Sequence, residues 1–561
     1  MSEDLFEPIF VPDEIQEAVG GRAWLQAMLD AEAALAVAQA RAGLIPTEAA
    51  EAIAGCCDAG RFDPEQIGRE GRAAGNPVVP LVKALTAAVS GEAPGEAARY
   101  VHKGATSQDI VDTAAMLVAR RAIDLILADF VGIAAACARL ADTHRTTVMA
   151  GRTLLQQALP TTFGLKAAGW LVAVLEVRKR LLTVRGSALA AQLGGAVGTL
   201  ASLGPDGVRV LKEFSRELGL AEPVVPWHTA RLPIAELGST LALGAGVMHK
   251  LALDVVLMAQ TEVAEVAEPS GDGRGGSSTL PHKRNPILAV TAAACARRVP
   301  SLAQTLQAAM AQEHERAAGA WHAEWETLSD ALALTGGAAA AMREATEGLQ
   351  VHPKRMRAHL DSTDGLLLAE QVTTIAAKHL GRLEAHELVE TASRRTLEHG
   401  SSLREELLAE PTLREVLTPE EIDAALDPST LPRFGRGVCR PSSGALSQGR
   451  TALTTDSPVL LHHVLDGPEG APVVVLSNSL GTTLRVWDDQ APPLQSRFRL
   501  LRYDHRGHGV SPVPPGPYEI DDLGRDVLAL LDVLGVERVS FSGFSIGGWS
   551  TCAWRARPPS A

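Results

Sequence analysis

The amino-acid sequence predicts a mainly α-helical protein built on a bundle of long helices, followed by a smaller, partial α/β segment. Three observations predict it. Residues 1 to about 435 are rich in Ala and Leu at helical spacing, whereas about 457 to 550 shows short Val-rich runs, Gly-Pro turns and alternating strand and helix patterns. Between them, Gly435-Arg436-Gly437 through Thr454-Thr455 has the Gly, Ser, Arg and Thr content of a linker. At 561 residues the chain exceeds one ordinary core. The expected division is an N-terminal helical domain at 1–110, a central bundle at 111–350, a second helical domain at 351–435, a linker at 436–456 and the α/β segment at 457–561.

Three long apolar segments can build the bundle: about Asp112 to Arg145, Phe163 to Arg185, and Arg231 to Glu268. The last carries Leu237, Leu241, Val247, Met248, Leu251, Val255, Met258 and Val263 at spacings of three, four and seven, so it reads as one long helix broken at most once. Its few charges, Lys250, Asp254, Glu262 and Glu265, suggest burial on more than one side, as in a bundle that also oligomerises. In the α/β segment, Pro472–Leu476, Arg499–Asp504 and the run from Val539 read as buried strands. The third leads into Gly543-Phe544-Ser545-Ile546-Gly547, a nucleophile-elbow pattern.

A net charge of −14 argues against general nucleic-acid binding, which needs a basic footprint. Cysteines 56, 57, 137, 295, 439 and 552 show no CxxC pair or metal-like spacing with His and are expected to be reduced thiols. The acidic amino terminus lacks a signal-peptide pattern, and no window reaches ~18 uninterrupted apolar residues, so no membrane span and a cytoplasmic location are expected.

The strongest functional signal is Gly276-Ser277-Ser278-Thr279-Leu280-Pro281-His282-Lys283-Arg284-Asn285-Pro286, within a loop at 271–286. Ser277 and Ser278 follow a Gly-rich stretch, while Lys283, Arg284 and Asn285 offer positive charge and amide donors to a polyanion. A second segment, His102 through Thr113, places Thr106 and Ser107 before Asp109 at a helix start, where either hydroxyl could also serve as an ordinary N-cap. A third is Gly151-Arg152-Thr153-Leu154-Leu155-Gln156, followed by Gly194-Gly195-Ala196-Val197-Gly198-Thr199. Finally, Pro226-Trp227-His228-Thr229-Ala230-Arg231 brings a ring, an imidazole and a guanidinium together, or alternatively marks a helix entry with a buried Trp.

Residues 10 to 435, with these motifs in this order, resemble the fumarase/aspartase superfamily, whose members make or break a bond β to a carboxylate. The resemblance implies a long-helix bundle, a homotetramer with each site gathered from three subunits, a small polycarboxylate substrate, and no cofactor or metal. It assigns acid/base chemistry to Ser277, with Ser278 as the alternative. Lys283 and Asn285 hold the charge that develops, His228 is a substitute proton donor, and His282 positions the loop or faces solvent. His102, Thr106, Ser107, Arg152, Thr153, Gln156, Arg231 and Arg284 bind substrate.

The sequence departs from the superfamily's lyases at two places. A histidine after Arg-Thr and a glutamate five residues past the signature Asn are here Leu154 and Val290. A general acid helps poor leaving groups such as amines and hydroxide. A carboxylate leaving group, with a pKa of about 4, needs no such help. The departures therefore point to the lactonising cycloisomerase branch, which closes a lactone from a carboxymuconate, over an adenylosuccinate-lyase-like elimination in which His102 or His228 would serve as acid.

The last hundred residues resemble the first half of an α/β-hydrolase of the enol-lactonase type, with Ser479 and Leu480 near the oxyanion loop. Only sixteen residues follow Ser545, and His505 and His508 lie upstream of it. The Asp and His that follow the nucleophile in that fold have no position here, so Ser545 is expected to be inactive. Lactonases and carboxymuconate cycloisomerases both belong to protocatechuate catabolism, which favours a muconate substrate for the helical part.

Overall fold

In the computed structural model, the described residues are 5–92, 95–269, 275–276, 279–280, 282–428, 459, 461–478, 482–513, 518, 520–536 and 538–543. The chain forms two compact units, Met1–Cys439 and Arg440–Ala561.

Five long helices form the centre of the first unit: Ser107–Thr143, Phe163–Thr183, Leu232–Met258, Ile287–Ala308 and Ala320–Glu347. Contacts along their lengths give their directions. Trp321 Nε1 donates to Asp112 Oδ1 at 2.9 Å and Arg139 donates to Glu347 O at 2.7 Å, so Ala320–Glu347 runs parallel to Ser107–Thr143. Arg231, at the start of Leu232–Met258, pairs with Asp112, so that helix is parallel to them as well. Phe163–Thr183 and Ile287–Ala308 run back: Arg185 reaches Asp124, and Gln307 reaches Ser239.

The bundle thus has two ends. At ~1.5 Å per residue, the 37 residues of Ser107–Thr143 hold those ends about 55 Å apart. The near end gathers residues 100–112, 190–196, 226–232 and 309–324; the far end gathers 143–163, 258–269, 282–289 and 347–363.

One apolar core runs from Val11 to Met356, and a separate core within residues 366–426 holds the second helical domain together. Gly21–Arg41 and the other helices before residue 93 pack on the bundle and bring Glu32 and Gln39 to the near end.

The expected helix from Arg231 to Glu268 is shorter in the structure. It ends at Met258, where the apolar face gives way to Gln260-Thr261-Glu262. The chain then turns back through Ala264 at φ +48°, and Glu265 N donates to Met258 O at 2.9 Å. Leu232–Met258 is long and apolar enough to cross a membrane, with a mean hydropathy of 1.6 over its most apolar window. It packs instead on Ile287–Ala308, Ala320–Glu347 and Phe163–Thr183. Leu243, Leu253 and Leu257 on its remaining face stay 53%, 43% and 37% exposed within a single chain.

After the first long helix comes a hairpin, Val148–Thr153 with Gln156–Thr162, which the periodicity did not foresee. The strands pair antiparallel with a bulge at Gly151, where an added Cβ would lie 2.7 Å from Leu159 O. Thr153 pairs with Gln156, leaving Leu154 and Leu155 alone in the turn at φ +50° and +67°. Gly, Asn or Asp ordinarily take such positions. These two leucines are 97% and 79% exposed.

The second unit holds a four-stranded sheet in the order His463–Asp466, Arg499–Tyr503, Val473–Ser477, Val539–Gly543. The first pair is antiparallel and the rest parallel, with helix Ile520–Val533 packed beside them. The three strands expected from sequence are those on the parallel side.

Candidate active site

At the near end, Asp109 organises the site. It is fully buried one turn inside the Ser107–Thr143 helix and accepts hydrogen bonds from five groups: Thr106 N (2.9 Å), Gly194 N (2.9 Å), Gly195 N (2.9 Å), Gln192 Nε2 (3.3 Å) and His228 Nε2 (2.7 Å). Gly194 is required for this close approach, since an added Cβ would lie 2.8 Å from Pro226 and 2.9 Å from His228. His228, 5% exposed, is thereby held beside Thr106 and Ser107, the residues that open the helix.

His102 sits at φ +57° on the preceding turn, with Nδ1 2.6 Å from Glu32 Oε1. Burial by itself would lower its pKa, but the hydrogen bond and charge of Glu32, helped by Asp109, raise it above the ordinary imidazole value. A raised folded-state pKa gives stability that is fully present below about pH 6.5 and lost as pH rises through the raised value. Glu32→Gln is expected to flatten that part of the pH–stability curve, checked by urea midpoints between pH 6 and 9.

Arg231, expected from the sequence as a substrate-binding cation, is buried at the near end. Only 2% exposed, it donates to Asp112 Oδ2 and Oδ1 at 2.7 and 3.0 Å and to Glu324 Oε1 at 3.0 Å, and it pairs with Glu324 Oε2. Its guanidinium lies 4.8 Å from the Trp227 ring centroid, and Gln312 Nε2 adds a bond to Glu324. These bonds tie together three helices, with Asp112 in Ser107–Thr143, Glu324 in Ala320–Glu347 and Arg231 at the start of Leu232–Met258. Arg231→Met strands both acids in the core and is expected to cost about 3–5 kcal/mol, read from denaturant unfolding. A near-end cation that sequence reasoning missed is Arg316, which donates to Thr106 Oγ1 at 2.8 Å and Ala196 O at 2.9 Å. Its position in the connection between two helices carried no periodic signal.

At the far end, Arg152 forms a bidentate pair with fully buried Glu265 (2.9 and 2.8 Å), and His359 Nδ1 lies 2.7 Å from the same carboxylate. Thr153 and Gln156 are exposed beside Leu154 on the hairpin. The signature loop leads into Ile287–Ala308 at this same end. Asn285 N donates to Gly275 O at 2.9 Å, Gly276 bridges Arg284, and Glu268 accepts from the N–H groups of Leu288 (3.0 Å) and Ala289 (2.7 Å). His282, Lys283 and Arg284 are exposed. Ser277 and Ser278 lie outside the described residues. The sequence-predicted residues therefore fall into two groups within one chain: His102, Thr106, Ser107, His228 and Arg231 at the near end, and Arg152, Thr153, Gln156, Lys283, Arg284 and Asn285 at the far end.

Residues 11–300 match the lyase family and residues 365–433 match the adenylosuccinate lyase C-terminus. The 3-carboxy-cis,cis-muconate cycloisomerase of Bradyrhizobium diazoefficiens is 49% identical over 424 residues, 76% of this chain and 94% of that protein. The chain belongs to the fumarase/aspartase superfamily. It is accordingly an enzyme of the cycloisomerase and lyase type. The nitrosuccinate lyase of Streptomyces davaonensis is 48% identical over 433 residues, 76% of this chain and 91% of that protein. Among solved structures, the 3-carboxy-cis,cis-muconate lactonizing enzyme of Pseudomonas putida superposes with a TM-score of 0.74 at 44% identity, covering 79% of this chain and 98% of that one.

Residues 472–561 match the alpha/beta hydrolase fold. Ser545 lies outside the described residues. Ser477 Oγ is 2.5 Å from Tyr503 Oη and 3.3 Å from His505 Nε2, while burial lowers the His505 pKa and its Nε2 also lies 3.1 Å from Asn478 O. Arg506 pairs twice with buried Asp526 at 2.6 Å. His505 is therefore part of an internal polar network at the strand ends.

Proposed function

We propose that the chain is a 3-carboxy-cis,cis-muconate cycloisomerase acting as a homotetramer in the cytoplasm. The observation that carries this reading is Leu154. At the tip of the hairpin, beside Arg152 and Thr153, the lyase acid is replaced by an apolar side chain that can neither give nor take a proton. Arg152, Lys283, Arg284 and Asn285 stand at the same end of the bundle. In the direction of ring opening, the lactone expels a carboxylate, a leaving group that needs no protonation. The names of relatives at 49% and 44% identity support the same assignment.

In the forward direction, one carboxylate of the tricarboxylate adds to the conjugated double bond. Negative charge then develops on the neighbouring carboxyl group, where Lys283 and Asn285 stabilise it. Thr106 and Ser107, with Arg316 behind Thr106, hold a second carboxylate, and Arg152 binds a third. Ser277, or Ser278, delivers a proton to the α carbon. A site using both groups of residues needs more than one chain, because the two ends of the bundle lie about 55 Å apart. The exposed face of Leu232–Met258 and the exposed Leu154-Leu155 tip are surfaces that such an assembly would cover.

The 48% identical nitrosuccinate lyase favours a second reading. Elimination from nitrosuccinate would expel nitrite, also a weak base, so the loss of the acid pair does not separate the two. The deciding assay offers purified protein 3-carboxy-cis,cis-muconate, nitrosuccinate and adenylosuccinate in the same buffer. Rapid loss of the muconate diene absorbance alone establishes the cycloisomerase. Turnover of nitrosuccinate alone replaces it with the second reading, and turnover of adenylosuccinate refutes the inference from Leu154 and Val290.

A further inference from the structure

Glu265 is a buried carboxylate with two partners, each on a different element. Arg152 comes from the hairpin, and His359 from helix Pro353–Asp361. The segment carrying Glu265 is clamped by that same helix and the residue before it. His352 N donates to Glu265 O at 2.9 Å, His352 Nδ1 lies 3.0 Å from Ala264 O, and Arg355 donates to Val263 O and Glu262 O at 3.2 and 2.8 Å. The left-handed Ala264 is thus held in place from outside its own loop.

Arg152 meets Glu265 through both terminal nitrogens, Nη1 to Oε2 and Nη2 to Oε1. That end-on pairing occupies one edge of the guanidinium and leaves the side carrying Nε–H for another anion. His359 Nδ1 shares Oε1 with Arg152 Nη2, at 2.7 and 2.8 Å. The imidazole therefore fixes the rotation of the carboxylate, and the carboxylate fixes which edge of Arg152 is available.

We infer that Glu265 and His359 are positioning residues that orient Arg152 so that its Nε edge receives a carboxylate of the substrate. This rests on the reading of Arg152 as an anion-binding residue. Sequence patterns could not reveal it, since the three residues are separated by 113 and 94 positions.

The test uses the full-length protein and whichever substrate the three-way assay identifies. His359→Ala is expected to raise KM about tenfold, the size of one lost charge-assisted hydrogen bond, with kcat changed less than about twofold. His359→Asn, whose side-chain amide can replace the Nδ1 donor, is expected to restore KM. A fall in kcat and melting temperature without a KM change, or no rescue by Asn, would overturn the inference. Arg152→Ala is measured alongside. If it leaves KM unchanged, the anion-binding reading of Arg152 fails and the inference fails with it. If it raises KM while His359→Ala does not, the positioning role alone is refuted.

Discussion

Two inactive variants are expected to restore each other. Thr106→Val/Ser107→Ala removes hydroxyls at the near end, and Lys283→Ala removes a cation at the far end; each variant is expected to be inactive as a pure assembly. Unfolded together in equal amounts and refolded, they should recover about a quarter of wild-type turnover. With random mixing, each half-site is intact at half of the positions, so both are intact at about a quarter. The physical reason is the rigid 37-residue helix between the two groups, which no loop motion can shorten. Light scattering checks that the mixture assembles. If assembled mixtures stay as inactive as their parents, the site does not draw on these two ends of different chains, and the proposed tetramer with shared sites is wrong.

The second large effect concerns the signature loop. Ser277→Ala/Ser278→Ala is expected to lower turnover by about 10³-fold or more, because the proposed mechanism delivers the proton to carbon from one of these two hydroxyls. The fold should be unchanged, since Glu268 caps helix Ile287–Ala308 and Asn285 N donates to Gly275 O across the base of the loop. Single variants then assign the role. Circular dichroism and melting temperature provide the control for folding. Turnover within tenfold of wild type in the double variant would reject serine as the acid/base and direct attention to His228. That imidazole is pinned to Asp109 at 2.7 Å, close to Thr106 and Ser107.

Three of the five central helices were legible in the sequence because a buried helix writes its own periodicity: Ser107–Thr143 and Phe163–Thr183 agree with the predicted segments to within a few residues, whereas Ile287–Ala308 and Ala320–Glu347 were not among those segments. The segment from Arg231 was read too long. Val263 continues the apolar spacing, but Glu265 must turn inward to meet Arg152 and His359, and that partner lies outside any local window. The hairpin was missed for a related reason. Leu154 and Leu155 occupy turn positions that Gly or Asn usually announce, so the turn carried no ordinary signal.

For the site, residue chemistry singled out the signature loop, because its hydroxyls and cations stand together along the chain; the resemblance to the fumarase/aspartase superfamily pointed to the Thr106-Ser107 helix start, Arg152 and the apolar replacements Leu154 and Val290. What only the tertiary structure decided are relations between distant residues. It decided that Asp112 and Glu324 take up Arg231, that Arg316 reaches Thr106 across 210 positions, and that His359 steadies Glu265. It decided also that the two halves of the predicted site stand at opposite ends of one chain. A sequence lists charges and hydroxyls without saying which are already neutralised; burial and pairing settle that, since a buried cation stays charged only with its partners beside it.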